Sequence, residues 1–120
     1  MKRVLVAVPD LLFAVQIANA VRAAGGEPQT IRRVEEAYTA LETEAESYPA
    51  AVVIDLAARI DPPALIQTAA ARHVPVFAFG PHLDIEAIKA ARAAGADKVV
   101  TNSALAQALP GWLAGQINKG

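Results

Sequence analysis

The sequence predicts a three-layer α/β sandwich built on a five-stranded parallel sheet. Short apolar runs of strand length alternate five times with longer stretches of helical spacing. The connections hold only a few residues and are often closed by Asp, Pro or Gly, so successive strands run parallel with helices crossing over between them. The second run is the most polar and the third the most apolar, which suits a sheet edge and a sheet centre. At 120 residues the chain holds one domain, 1–120, and is too short for a second.

The first strand is the apolar run 3–8, closed by Pro9. Asp10 then caps a helix over 10–24 whose stripe is Leu11, Val15, Ala18 and Val21, and Gly25-Gly26 stops it. Residues 27–33 form a polar edge strand with Pro28 near its start. A helix over 34–46 follows, presenting Val34, Ala37, Tyr38, Leu41 and Ala45 inward and a row of glutamates to solvent. Residues 50–56 are the most strand-like stretch. Asp61-Pro62 reads as a cap and first helical residue, opening a helix to about Arg72. His73 stands at that helix's end, where its side chain favours the dipole. Residues 74–79 form the fourth strand, 80–84 a loop, and 85–94 a helix capped by Asp84 and ended by Gly95. Residues 97–101 form the fifth strand, and Asn102-Ser103 opens a last helical region that Pro110 is expected to break in two.

Composition removes several classes of function. Much of the 54% apolar content is alanine in helical stretches, and no run is long enough to span a bilayer. The N-terminal apolar run is too short for a signal-peptide core, so the expected location is the cytoplasm. With no cysteine there are no disulfides, thiolate metal sites or cysteine nucleophiles. A net charge of −1 gives no reason to expect nucleic acid, and Arg32-Arg33 reads as a solvated edge. Pro9-Asp10-Leu11-Leu12 has no glycine, which closes off a dinucleotide loop.

The polar second run and apolar third run fit the flavodoxin-like strand order 2-1-3-4-5. In such sheets ligands sit beyond the carboxyl ends of the strands, where strand order reverses. The residues placed there are 8–10, 55–59, 79–84 and 101–103.

Four pieces, in order and at suitable spacing, then carry a resemblance over essentially the whole length. They are Lys2-Arg3-Val4-Leu5-Val6, then Val53-Ile54-Asp55-Leu56 with Pro62 or Pro63 downstream, then Pro75-Val76-Phe77-Ala78-Phe79. The fourth, Ala90-Ala91-Arg92-Ala93-Ala94-Gly95-Ala96-Asp97, is the most specific. The chain resembles the response-regulator receiver domains of two-component signalling. That resemblance implies Asp55 as the phosphoacceptor-equivalent residue. It also implies a carboxylate pair after the first strand to hold Mg2+, a hydroxyl after the fourth and a lysine after the fifth. Those positions read Val8-Pro9, Gly80 and Asn102, the last followed by Ser103 in place of the usual proline. A register shifted by one residue puts Asp10 in the pair, so Asp10 is either a helix cap or a residual acidic-pocket residue.

Phosphoryl transfer depends almost entirely on positioning and electrostatic stabilisation, so losing metal ligands and lysine together is severe. The expected function is therefore a degenerate receiver-like module, not an enzyme, that binds a protein partner and needs no cofactor. Two alternatives stand beside it. One is an atypical receiver still phosphorylated on Asp55, using Mg2+, Asp10 and Asn102. The other is a small-ligand or anion sensor using the 80–84 loop. The expected binding cleft comprises Asp10, Gly80, His82, Asp84, Asn102 and Ser103. By resemblance, association with another protein or a second copy uses the face of the fourth helix, fifth strand and fifth helix, with Ala87, Ala91 and Trp112 as interface residues. The alternative for that face is that alanine supplies helix propensity and the larger side chains pack inward.

Overall fold

The computed structural model describes residues 2–118; Met1 and residues 119 and 120, which the one-domain reading also spans, lie outside them. Strands β1 (Arg3–Ala7), β2 (Glu27–Thr30), β3 (Ala51–Asp55), β4 (Val76–Gly80) and β5 (Lys98–Thr101) form a parallel sheet of order β2-β1-β3-β4-β5. Helices α1 (Leu11–Ala23), α2 (Val34–Glu42), α3 (Pro62–Ala71) and α4 (Ile85–Ala94) connect successive strands, and α5 (Leu105–Ile117) follows β5. Fold class and strand order are those expected from the sequence.

The two-residue strand period sorts the core into two layers. Val4, Val6, Val53, Phe77 and Phe79 face α1 and α5, where they meet Ile17, Val21, Leu109 and Leu113. Leu5, Val52, Ile54, Val76 and Ala78 face α2, α3 and α4, where they meet Leu41, Leu65, Ile66 and Ala91. β3 and β4 are buried at every position, which is why they read as continuous apolar runs. At the edge, Glu27 and Ile31 donate their N–H groups to Lys2 and Val6 of the β1 side. Pro28 therefore has the outward parity, where its missing N–H costs no ladder bond.

Three helices start as their sequences imply. Asp10, Asp61 and Asp84 each accept a backbone N–H from the third residue on: Phe13 at 3.1 Å, Ala64 at 3.3 Å and Ala87 at 3.2 Å. Each such cap stabilises its helix by about 1 kcal/mol. Gly95 ends α4 with φ of +110°, and a Cβ there would lie 2.9 Å from Ala70 Cβ, so both conformation and space demand glycine. Asp97 follows and locks β5 to β4: its N–H donates to the Val76 carbonyl at 2.9 Å and its Oδ1 accepts the Val76 N–H at 2.8 Å. His73 takes φ of +57° just beyond α3, a position more often glycine.

Three expectations are corrected. The inward stripe of α1 is Ala14, Ile17 and Val21 with Phe13 beside it, whereas Leu11 and Val15 are exposed. The Phe13 ring meets Phe79 edge-on at 5.4 Å, which turns the helix that way and leaves its first turn above the sheet's end. α2 stops at Glu42, where Thr43 becomes extended, and Ala45 falls in an exposed 3₁₀ turn instead of the core. Pro110 does not break α5, which runs unbroken from Leu105 to Ile117. Pro110 and Ala106, whose carbonyl loses its helical partner, both face solvent, so water can replace the missing bond.

Candidate functional site

β3 carries Asp55 to the C-terminal edge of the sheet, in register with Phe79 of β4. Strand alternation puts it on the side of Ala51 and Val53, toward α1 and α5. It is 6% exposed and is the one buried polar or charged side chain among the described residues. Its Oδ1 accepts the Ala57 N–H at 2.9 Å, and its carbonyl accepts the Ala58 N–H at 3.0 Å, which turns the chain tightly away from the strand.

Burial out of water raises the Asp55 carboxyl above its ordinary value; the Ala57 N–H offsets part of that, and the negative charge of Asp10 adds to it. An acid with a raised folded-state pKa contributes stability below its unfolded value, and that stability is lost as pH rises through the folded value. Asp55→Asn keeps the acceptor for Ala57 and removes the charge. Its melting temperature at pH 7 is expected to exceed that of wild type. The gain should shrink toward zero below about pH 3, where Asp55 is protonated in both states. Melting curves across this range check it; an unchanged or lowered value at pH 7 would contradict the desolvated-charge reading.

Around this carboxylate, the positions to which the resemblance assigns metal ligands hold other residues. Val8 is buried in the core, and neither it nor Pro9 has a side-chain oxygen. Asp10 is close enough to act on Asp55 electrostatically, yet its Oδ1 caps α1 through Phe13. Among the described residues no three His, Asp or Glu side chains come together as a metal site. Mg2+ is commonly held by one or two carboxylates with water completing its octahedron, and the two carboxylates that act on each other here are Asp55 and Asp10.

The hydroxyl position is narrowed by packing. A Cβ on Gly80 would lie 3.2 Å from the Leu56 Cβ and 3.4 Å from its Cδ1, so Leu56 fills the space where a longer side chain would begin. Across the β4–β5 pair, Gly80 faces Thr101. The Thr101 and Ser103 hydroxyls lie 3.1 Å apart and bond each other. Asn102 stands between them, half-buried, and its Oδ1 is buried with no hydrogen-bond partner. It brings an amide where the resemblance implies a lysine. Leu56 and Thr101 fall within the stretches 55–59 and 101–103 expected at this edge, but the sequence gives neither a role, because Leu56 reads as one more apolar strand residue.

Parallel strands put the 80–84 loop at the same edge as Asp55, as expected. His82 is exposed there, and the nearby Asp84 carboxylate is committed to capping α4. A cleft opens at this edge. It occupies about 670 Å³ among residues 7–9, 30–34 and 57–60, with Leu11 and Ala14, and none of the six expected cleft residues lines it. The structure also corrects the expected interface. Ala91 is fully buried where α4 packs on the core, and Ala87 is partly buried against the same cluster. Trp112 packs on Phe77 with ring centroids 5.4 Å apart, and Leu105, Leu109 and Leu113 all point inward. The inward-packing alternative is the one observed.

The large exposed apolar side chains cluster instead at the C-terminal edge. Leu11 is 77%, Leu12 84% and Leu83 81% exposed, and Val15 and Ile85 are each more than half exposed. They belong to the segments after β1 and β4, which flank the end of β3 and Asp55 between them.

Sheet order, Asp55 at the end of β3 and the Gly95-Ala96-Asp97 lock together define the fold of response-regulator receiver domains. Solved structures agree. A candidate response regulator from Chloroflexus aurantiacus superposes with a TM-score of 0.80 at 21% identity, over 98% of each chain. A response-regulator receiver domain from Clostridium thermocellum gives 0.79 at 18% identity, over 99% of this chain and 96% of that one. The receiver domain of a sensor histidine kinase from Pseudomonas aeruginosa, which has a magnesium ion in its active-site cleft, gives 0.70 at 15% identity, over 93% and 97%. No protein-family model and no curated protein sequence matches the chain.

Proposed function

We propose that this chain is a receiver-fold signalling module that docks a protein partner at the C-terminal edge of its sheet, without efficient phosphorylation of Asp55. The observation that carries the reading is the apolar rim: Leu11, Leu12 and Val15 form one exposed surface on the first turns of α1, and Leu83 and Ile85 flank Asp55 from the other side. Single exposed leucines are ordinary, but a cluster beside a strand-end site marks a surface that gains by burial. In this reading the protein is cytoplasmic and non-catalytic, uses no Mg2+, and contacts neither nucleic acid nor membrane. Its partner is a different protein, since the α4–β5–α5 face offers little apolar surface for self-association.

The missing chemistry supports the other half of the reading. Among the described residues no three acidic or imidazole side chains gather as a metal site, no cation is among the groups that shift Asp55, and burial raises its carboxyl above the ordinary value. Incubation with Mg2+ and acetyl phosphate is expected to leave the intact mass unchanged. A phosphate adduct present in wild type and absent in Asp55→Asn would replace this reading with that of an atypical receiver, still phosphorylated with the help of Asp10 and Asn102.

A further inference from the structure

We propose that the cleft among the connections after β1, β2 and β3 binds a small organic anion with an apolar body, its acidic group held by Arg32, Arg33 and Arg59. This site adjoins the apolar rim at Leu11, which belongs to both, but its charged lining is its own and the proposal stands whether or not the rim docks a partner. Its volume, about 670 Å³, falls within the range of small-molecule sites. It lies at the C-terminal edge where strand order reverses between β1 and β3, the place at which such sheets open a crevice.

Charge decides the ligand's class. Arg32, Arg33 and Arg59 line the cleft, and no carboxylate does. The two aspartates that border it in sequence are committed elsewhere: Asp10 caps α1 through Phe13, and Asp61 caps α3 through Ala64. Glu35 and Glu36 follow in the first turn of α2 but do not line the cleft. Arg3, by contrast, donates to Gln29 Oε1 and to the Ser47 carbonyl, each at 2.6 Å. Among the described residues the three cleft arginines are exposed, and their guanidinium groups have neither ion-pair nor hydrogen-bond partners. Like charges gathered around one concavity repel each other, and a bound anion relieves that repulsion.

The floor sets the rest of the ligand. Val8, Ile31 and Ala58 are buried beneath the arginines and give the cleft an apolar base. Inorganic phosphate would leave that base uncovered, and an uncharged apolar molecule would leave the guanidinium groups unpaired. An anion carrying an apolar body satisfies both. α2 adds to the attraction: it begins at Arg33 without a side-chain cap, and Val34, its first residue, lines the cleft.

The test compares 8-anilinonaphthalene-1-sulfonate with its uncharged relative N-phenyl-1-naphthylamine. The sulfonate is expected to bind at one saturable site, to weaken with salt, and to move the amide resonances of residues 31–34 and 57–60. Arg33→Glu and Arg59→Glu should each weaken it roughly tenfold, with a melting temperature no lower than that of wild type, because neither side chain has an intramolecular partner to lose and each change relieves like-charge repulsion. The uncharged relative should bind at least about tenfold more weakly and ignore both substitutions. Absence of saturable sulfonate binding, equal affinity in the arginine variants, or a loss caused instead by Leu12→Ser in the rim would each overturn the proposal.

Discussion

Ala91→Glu is expected to unfold the chain or to cost at least about 3 kcal/mol, the scale for an unpaired charge forced into a core. Ala91 is fully buried, and its neighbours in the α3–α4 layer include Leu65, Ile66 and Ala78, none of which can pair a carboxylate. Chemical denaturation of the variant measures the loss, and the exposed Ala93→Glu on the same helix is the control. A near-native Ala91→Glu that merely dissociated a wild-type dimer would restore α4 as an association face.

Phe77→Ala should cost about 3–5 kcal/mol, the range for truncating a buried aromatic ring. Phe77 is fully buried at the centre of the layer under α1 and α5, with Trp112 tilted against it at 59°. Trp112→Ala removes the other half of the pair, and a double-mutant cycle is expected to give a coupling of about 0.5–1.5 kcal/mol. That coupling identifies Trp112 as a core residue of α5. Zero coupling, with Trp112→Ala leaving stability intact, would mean the indole is free for a partner.

The architecture was legible because its signals are local. The aspartates that cap α1, α3 and α4, the glycine that ends α4, and the alternation of polar β2 with apolar β3 and β4 each act within a few residues. The motif most specific to the receiver resemblance proves to be structural: Gly95 supplies a left-handed turn and Asp97 clamps β5 to β4. It therefore predicts the fold well and says nothing about Asp55.

What was not legible depends on rotation and on contacts between distant segments. Leu11, Val15, Ala18 and Val21 are as good a helical stripe as Ala14, Ile17 and Val21 until Phe13 meets Phe79 across the sheet. The alanines of α4 could equally have lined an interface or a core, and only the packing against α3 decides. Arg59 joins Arg32 and Arg33 because β3 and β2 flank β1, a juxtaposition that no spacing along the chain reveals. Leu56 crowding the Gly80 position is likewise a contact between neighbouring strands.

Amide chemical shifts recorded during titration with Mg2+ and beryllofluoride, a phosphoryl mimic, report on the Asp55 environment directly. With ligand oxygens missing at Val8 and Pro9 and with Asn102 in place of a cation, the resonances of Ala57, Ala58 and Asn102 are expected to stay where they are at millimolar Mg2+. Saturable shifts at those three amides, abolished by Asp55→Asn, would show a working phosphoacceptor and contradict the reading of this chain as a receiver fold that signals by docking alone.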